Sequence, residues 1–291
     1  MSEGLTRLVA GVWVGQSPTF ATNSGVLIDG SRVVLIDPGL TLRDLSAVKS
    51  LLRRRESRAR FVVLTHGHWD HLLGAASFPA SDVIAQRSYV RVIRSHRQDL
   101  MRQVARWQDE ASTASSEQFK PPRPTVTFDR EMTLRLNDGA FVLIHAPGHA
   151  PDQCAVFVPH VGLLWAGDML SDREPPMAMD GVPRYIETLK RLRELPVRAL
   201  VPGHGTPTRD AATIRRRFEQ DLAYLETLHR CVTCCVRRGV SLAETLTACG
   251  DVSFVQPDSY PNAHVWNIES AYVASGGIAA EVPIGWEKDW L

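Results

Sequence analysis

Short apolar runs separated by polar turns dominate the first part of the chain. Val12-Trp13-Val14, Gly25-Val26-Leu27-Ile28-Asp29 and Val33-Val34-Leu35-Ile36 are brief, rich in β-branched residues and divided by Gly, Ser and Asn. That pattern predicts strands between Leu5 and Pro38, with Asp29-Gly30-Ser31 as a hairpin turn. From Thr41 to Arg55 the period changes. Leu45, Val48, Leu51 and Leu52 recur at helical spacing, and Arg53-Arg54-Arg55 suit the negative end of a helix dipole. Phe61-Val62-Val63-Leu64 then reads as a buried strand, because it is short, apolar and preceded by charge. Strand, helix and strand in this order predict a layered α/β arrangement.

Asp82-Val83-Ile84-Ala85 predicts another strand, followed by one long arginine-rich helix over about Ser88 to Ser112. Its apolar positions (Val92, Ile93, Leu100, Val104, Trp107) keep helical spacing, and its arginines form a solvated face. Pro121-Pro122-Arg123-Pro124 makes a stiff connector. Strands resume at 126–128, 132–136, 141–144, 155–158 and 161–165. A helix is expected over 183–195 and a last strand at 199–201. Beyond Thr206 the pattern becomes helical: 210–237, 241–249 and 264–274. No repeat of solenoid period is present.

Composition narrows the class. Of 291 residues, 44% are hydrophobic and 22% charged, which fits a folded globular chain. A net charge of +1 provides no field to recruit nucleic acid or an anionic membrane. The start, Met1-Ser2-Glu3-Gly4, lacks a basic segment followed by an apolar one, and no uninterrupted apolar run is long enough to span a bilayer. A cytoplasmic protein acting on a small molecule is expected, with no nucleic-acid or membrane partner; a homodimer is compatible with the sequence. Three of five cysteines crowd into Cys231-Val232-Thr233-Cys234-Cys235. On a helix Cys231, Cys234 and Cys235 share one face and are expected to fill core. A metal reading needs a further ligand, which only Cys249 or His229 offers nearby, and stable disulfides are not expected in the cytosol.

The candidate chemistry sits directly after the strand ending at Leu64. Thr65-His66-Gly67-His68-Trp69-Asp70-His71 presents three imidazoles and a carboxylate within six residues. Imidazole and carboxylate are ligands that Zn²⁺ accepts, and four of them at a strand end are costly to bury without a positive centre. In an extended segment His66 and His68 point to one side. Asp70 and His71 follow a turn, so one stretch can feed two metal positions. Three later strands each deliver a further His or Asp beside glycine: His145-Ala146-Pro147-Gly148-His149, Ala166-Gly167-Asp168 and Pro202-Gly203-His204-Gly205.

This ordered set, over residues about 5 to 206, resembles the metallo-β-lactamase fold superfamily. The resemblance implies an αββα sandwich of two mixed β-sheets with outer helices. It implies a catalytic domain at 1–206 and a helical C-terminal extension at 207–291, packed on it and placed to cover the active site. It also implies two divalent ions, zinc first, with iron or manganese acceptable to the same ligands. His66, His68 and His149 would hold one ion; Asp70, His71 and His204 the other; Asp168 would bridge them. Asp37, in Leu35-Ile36-Asp37-Pro38-Gly39, would brace the ligand loop, and His145 would act as a neighbouring support rather than a ligand. Two such ions can share a hydroxide that attacks an electrophilic centre, with Asp70 orienting it.

Within the superfamily, His71 and Asp168 replace the arginine and cysteine found in zinc β-lactamases. His68 stands where flavin-linked diiron members carry glutamate. No room exists between Asp168 and His204 for the inserted domain of RNA-processing nucleases. The ligand set that remains resembles that of glyoxalase II, the lactonases and related thioesterases, implying a binuclear hydrolase of an ester, thioester or lactone. The chain lacks the glyoxalase II pattern over Met169–Gly181, and has Ser171 where homoserine-lactone hydrolases carry tyrosine. One alternative is a persulfide dioxygenase with a single iron on His66, His149 and Asp168; another is weak β-lactamase or phosphodiesterase activity. Trp69, Tyr185 and His264 are the candidate substrate-facing residues, with the Met177-Ala178-Met179 segment at the entrance.

Overall fold

The computed structural model describes residues 4–111, 119–137, 139–254 and 262–278. The expected helix end at Ser112 and the stretches 255–261 and 279–291 of the C-terminal extension lie outside them. Alternation within single strands explains the layering. In β4 (Arg32–Ile36), Val33 and Leu35 face one hydrophobic cluster while Val34 and Ile36 face another. In β10 (Cys154–Val158), Ala155 and Phe157 face outward onto helices, and Cys154, Val156 and Val158 face inward. A strand apolar on both faces has to be covered on both, so each sheet lies between a helical layer and the other sheet.

The first sheet runs β1 (Leu5–Val9), β2 (Val12–Gln16), β3 (Asn23–Asp29), β4, β5 (Arg58–Val63), β6 (Asp82–Gln86) and β7 (Val126–Phe128). Its first four strands form an antiparallel meander, and β4 through β7 are parallel. The hairpin expected at Asp29-Gly30-Ser31 is present, with Asp29 paired to Arg32. The second sheet runs β12 (Ala199–Val201), β11 (Leu163–Trp165), β10, β9 (Ala140–His145) and β8 (Glu131–Arg135), and only β11 and β12 are parallel. Both sheets are mixed, as expected.

Between them, Val14, Leu27, Val34, Ile36, Val63 and Ile84 meet Leu143, Val156, Leu163, Trp165 and Val201. Each fully buried aliphatic side chain of this kind contributes about 1.5–3 kcal/mol. Outside the first sheet lie α1 (Leu42–Arg54), with a Thr41/Asp44 capping box, α3 (Tyr89–Ser95) and α4 (Arg97–Ala111). The arginine-rich segment is thus two helices, not one: the chain leaves helical geometry at His96.

Outside the second sheet lie α5 (Val182–Arg193), α6 (Ala211–Arg237), α7 (Leu242–Ala248) and α8 (Ala263–Ala274). Ile214, Phe218, Leu225, Ile268 and Tyr272 share one apolar cluster with Ile144, Phe157, Leu164 and Leu189. The helices after Thr206 are therefore continuous with the sheet's own core. Among the described residues no helix is long and apolar enough to cross a membrane.

The cysteine expectations are corrected here. Cys231 is bonded to Cys249, Cys234 is exposed, and only Cys249 of the group is buried. The i, i+3 and i, i+4 spacings spread these side chains over more than the stripe that α6 turns toward its neighbours.

Candidate metal centre

The ends of β5, β9, β11 and β12 meet at one edge of the sandwich. β5 finishes at Val63, and the Leu64 amide still donates to Ile84 O of the neighbouring strand (2.9 Å). Thr65 then leaves the sheet. Its amide donates to Asp37 Oδ1 (2.9 Å) and its hydroxyl to Asp37 Oδ2 (2.6 Å). His71 Nδ1 donates to the same carboxylate (2.9 Å). One buried aspartate at the end of β4 thereby fixes both ends of the histidine segment. A single turn, α2 (Trp69–Leu72), follows His68 and swings Asp70 and His71 inward.

The second sheet supplies the rest from three loops. His149 follows β9, and its Nδ1 donates to Met177 O (3.1 Å). Asp168 follows β11; its amide donates to Gln153 Oε1 (3.0 Å), and Tyr185 Oη donates to its carbonyl (3.1 Å). His204 follows β12, with Nδ1 donating to Phe20 O (3.0 Å). Gly203 must be glycine for steric reasons, since a Cβ there would overlap Asp168 Oδ1. Gly148 holds φ 138°, and a Cβ there would overlap the backbone of Tyr185.

All seven side chains are at least nine-tenths buried. Around Asp168 Oδ2, the Nε2 atoms of His66, His149 and His204 lie at 3.4 Å each, and His71 Nε2 is 3.2 Å from Oδ1. His204 Nε2 is 3.1 Å from Asp70 Oδ2. His68 Nδ1 faces His66 Nε2 at 2.8 Å and His149 Nε2 at 3.0 Å. The donor atoms sort into two groups, each lying within 4.8 Å of one another: His66, His68, His149 and Asp168, and Asp70, His71 and His204.

The outer hydrogen bonds fix the tautomers. His149, His71 and His204 each give Nδ1–H to an oxygen, and Thr65 Oγ1, whose own proton goes to Asp37, accepts from His66 Nδ1 at 3.0 Å. Their Nε2 lone pairs consequently all point at the shared interior. His68 Nδ1 faces two Nε2 lone pairs at 2.8 and 3.0 Å with at most one proton to give them, so this half is short of positive charge. His71 Nε2 and Asp168 Oδ1, buried and without a hydrogen bond, make the same demand on the other side. The donor set therefore fits divalent metal.

The electrostatics divide the same way. Burial, then the charge of His66 and His149, hold His68 well below the ordinary imidazole range. Burial brings His149 down to about 3 despite the opposing charge of Asp168. Both rings are neutral at physiological pH, the form that metal ligation requires. For His71 and His204 burial also disfavours charge, but Asp168, helped by Asp70 and Asp37 at His71 and by Glu174 at His204, raises both well above that range. Against the cost of burial, His71 and His204 hold the Asp70 and Asp168 carboxyls below the ordinary carboxylate value. A cation entering this half displaces protons.

The remaining sequence candidates are placed as follows. Trp69 lines the cleft over the cluster, a space of about 60 Å³ bounded also by Phe20, Gln103, Trp107, Glu174 and Met177. Phe20 meets Trp69 and Trp107 edge-on with centroids 6.0 and 5.0 Å away. Among the described residues no lysine or arginine lines this cleft. Tyr185 is fully buried beneath Asp168 and supports that loop instead of facing the opening. His145 donates from Nε2 to Pro151 O (3.0 Å), bracing the loop that carries His149. His264 is away from the cleft: Nδ1 accepts from Tyr224 Oη (2.9 Å) and Nε2 donates to Cys249 O (3.0 Å).

Sequence reading missed several contributors. Glu174 is buried, with a carboxylate oxygen within 4.8 Å of the donor atoms of Asp168 and His204. Its neighbours Arg173 and Pro175 give it the look of a surface turn. Asn267 on α8 accepts from the Ala178 amide (2.8 Å) and donates to Pro176 O (2.6 Å), gripping the segment whose Met177 carbonyl orients His149. Asn23 ties the 202–205 loop to β3 by donating to Pro202 O and Gly205 O. Asp152 lies buried against Gly67, and burial raises it to about 6 against the charge of His66 and the nearby backbone amides. Phe20, Ala21, Asp37 and Leu170, all bordering the site, hold φ between 42° and 62°. Such left-handed backbone costs about 1–3 kcal/mol per residue and concentrates where surroundings enforce it.

The chain is similar in sequence and fold to known proteins. The chain is 24% identical over 207 residues to beta-lactamase-like protein 2 homolog of Caenorhabditis elegans, covering 70% of this chain and 62% of that one. It is 23% identical over 229 residues to atrochrysone carboxyl ACP thioesterase AgnL7 of Paecilomyces divaricatus, covering 76% and 64%. The matches thus span less than two thirds of either relative. Among solved structures, the sec-alkylsulfatase Pisa1 from Pseudomonas sp. superposes with a TM-score of 0.74 at 16% identity, over 95% of this chain and 50% of that one. Metallo-beta-lactamase family protein TTHA1429 from Thermus thermophilus gives 0.68 at 20% identity, over 95% and 98%. These likenesses establish the fold. Residues 18–204 match the family profile itself, and the chain belongs to the metallo-beta-lactamase superfamily.

Proposed function

We propose that this protein is a metal-dependent hydrolase of the binuclear type, cleaving an ester, thioester or lactone bond in a small molecule. The observation carrying this reading is the position of Asp168, whose two carboxylate oxygens face four imidazole nitrogens drawn from both donor groups. His66, His68 and His149 would hold one ion, Asp70, His71 and His204 the second, with Asp168 shared. Zinc suits the borderline-soft imidazole set, and iron or manganese the same donors. When bound, such a pair makes a nucleophile of water near neutral pH and polarises the carbonyl oxygen under attack.

The chain's own residues account for the rest. Asp70 lines the cleft, where its carboxylate can orient a water through a hydrogen bond. Phe20, Trp69, Trp107 and Met177 offer the acyl group an apolar wall that limits water. The described wall residues, with no lysine or arginine among them, favour a neutral acyl group over an anionic one. The thioesterase among the relatives supports a thioester as one substrate class. In this reading residues 1–206 carry the chemistry and the helices beyond brace it.

Elemental analysis of protein grown without metal supplements and kept from nickel resin tests the proposal. Two zinc ions per chain, with chelator-sensitive turnover of aryl esters, thioesters or lactones, is the expected result. One iron per chain, with oxygen uptake on a persulfide and no hydrolysis, overturns it.

A further inference from the structure

A second cluster of metal-type side chains lies in the C-terminal helices, and the hydrolase reading makes no use of it. Cys231 and Cys235 are four apart on α6, so their side chains sit one above the other. Cys249 closes α7 and is fully buried against them. The three sulfurs lie within 4.8 Å of one another. Cys231 and Cys235 are half-buried, which opens the cluster to solvent on one side, while the neighbouring Cys234 is exposed and outside the group. A disulfide needs two cysteines, and the Cys231–Cys249 bond leaves Cys235 as a third sulfur against it.

We propose that Cys231, Cys235 and Cys249 form a redox-gated site for a thiophilic ion, closed when Cys231 and Cys249 are bonded and open when they are reduced. Three thiolates converging without imidazole or carboxylate are a soft donor set. They prefer ions such as monovalent copper or trivalent arsenic to the harder divalent ions suited to the histidine–aspartate centre. The two sites would therefore take different ions from one mixture. Opening requires a reductant: a phosphine with one water converts the bond to two thiols and leaves as its oxide, or an external thiol acts by exchange. One thiol attacks a sulfur of the Cys231–Cys249 bond to give a mixed disulfide, and a second releases it, leaving two protein thiols and one external disulfide. Arsenous acid then forms three sulfur–arsenic bonds, one to each cysteine, and releases three waters. The bound ion replaces the disulfide as the tie between α6 and α7.

The experiment uses the full chain with its histidine–aspartate centre loaded, prepared oxidised and phosphine-reduced, with arsenite as probe. Arsenite has little use for imidazole or carboxylate donors, so it reports on the thiols alone. Intact mass should show one arsenic on the reduced chain and none on the oxidised chain. Cys235→Ser should weaken binding by about tenfold or more, because one of three strong bonds to a soft ion is lost; Cys234→Ser should leave it unchanged. Alkylation mapping on the unmutated chain avoids any folding defect of a variant: arsenite should protect Cys231 and Cys235 while Cys234 stays reactive. The proposal is overturned if the reduced chain takes no arsenic, if the oxidised chain takes as much, or if Cys234 is protected as well as Cys235.

Discussion

The two sheets furnish the candidate centre by different means. The first sheet contributes His66, His68, Asp70 and His71 from one continuous stretch, and a single carboxylate, Asp37, pins both Thr65 and His71. The second contributes His149, Asp168 and His204 from three loops, each with its own anchor: Met177 O, the Gln153/Tyr185 pair, and Phe20 O. Ordering one short segment restrains few residues, whereas bringing three distant loops together carries loop-closure and ordering costs for each. Local chemistry thus manages with one side-chain brace, beside the Cys154 amide that donates to Thr65 O (2.8 Å), and distributed chemistry requires several. Among the described residues the C-terminal helices reach the distributed half, through Asn267 at 176–178 and through Asp221 and Arg217 at Leu170.

Substitutions can break this contrast in order of expected effect. Asp168→Ala removes the group facing both donor sets. Turnover should fall to background and metal content should drop, with circular dichroism largely unchanged; full activity would sink the two-ion reading. Asp37→Ala strikes the side-chain brace of the local half. Metal affinity should weaken by about 10- to 100-fold, and the unpaired Thr65 amide should cost about 1–3 kcal/mol of stability, read by denaturant titration.

Asn267→Ala strikes one of several braces of the distributed half. It should lower metal affinity less than Asp37→Ala does while destabilising the fold by a similar amount, about 1–3 kcal/mol for its stranded backbone partners. An equal or larger loss of metal affinity would erase the distinction between the halves.

Asp221 sharpens the comparison through pH. Burial raises its carboxyl from 3.8 to about 8, with the Leu170 amide and Arg217 acting in the opposite direction. Between those values the unfolded chain has released a proton that the folded chain keeps. Its contribution to stability is therefore full below about pH 4 and is lost as the pH rises through about 8. Asp221→Asn should gain in melting temperature relative to the parent from about pH 5 to about pH 8; parallel profiles would count against a neutral buried Asp221. His264→Ala is the mildest. Its ring touches Tyr224 and Cys249 and does not line the cleft, so stability should fall by about 1 kcal/mol with kcat and KM unchanged.

Much of this was legible in the sequence because the information is local. Short apolar runs bounded by turn residues marked most of the strands, and 3.6-residue spacing placed α1, α5, α6, α7 and α8 to within two residues at either end. The crowded histidines, together with glycine beside each later His or Asp, marked all seven residues that meet at the sheet edge. Glycine leaves a visible trace because close approach forbids any side chain, as at Gly203. Tertiary structure alone decided what depends on distant partners. Glu174 reads as a surface turn until the fold buries it beside His204, and nothing in 263–274 signals that Asn267 grips the support of His149. Tyr185 faces Asp168 from below, and Cys231 finds Cys249, because α5, α6 and α7 are turned by packing that no local pattern encodes. Residue type and spacing set which groups could act; only the docking of sheets and helices set which of them face the same point in space.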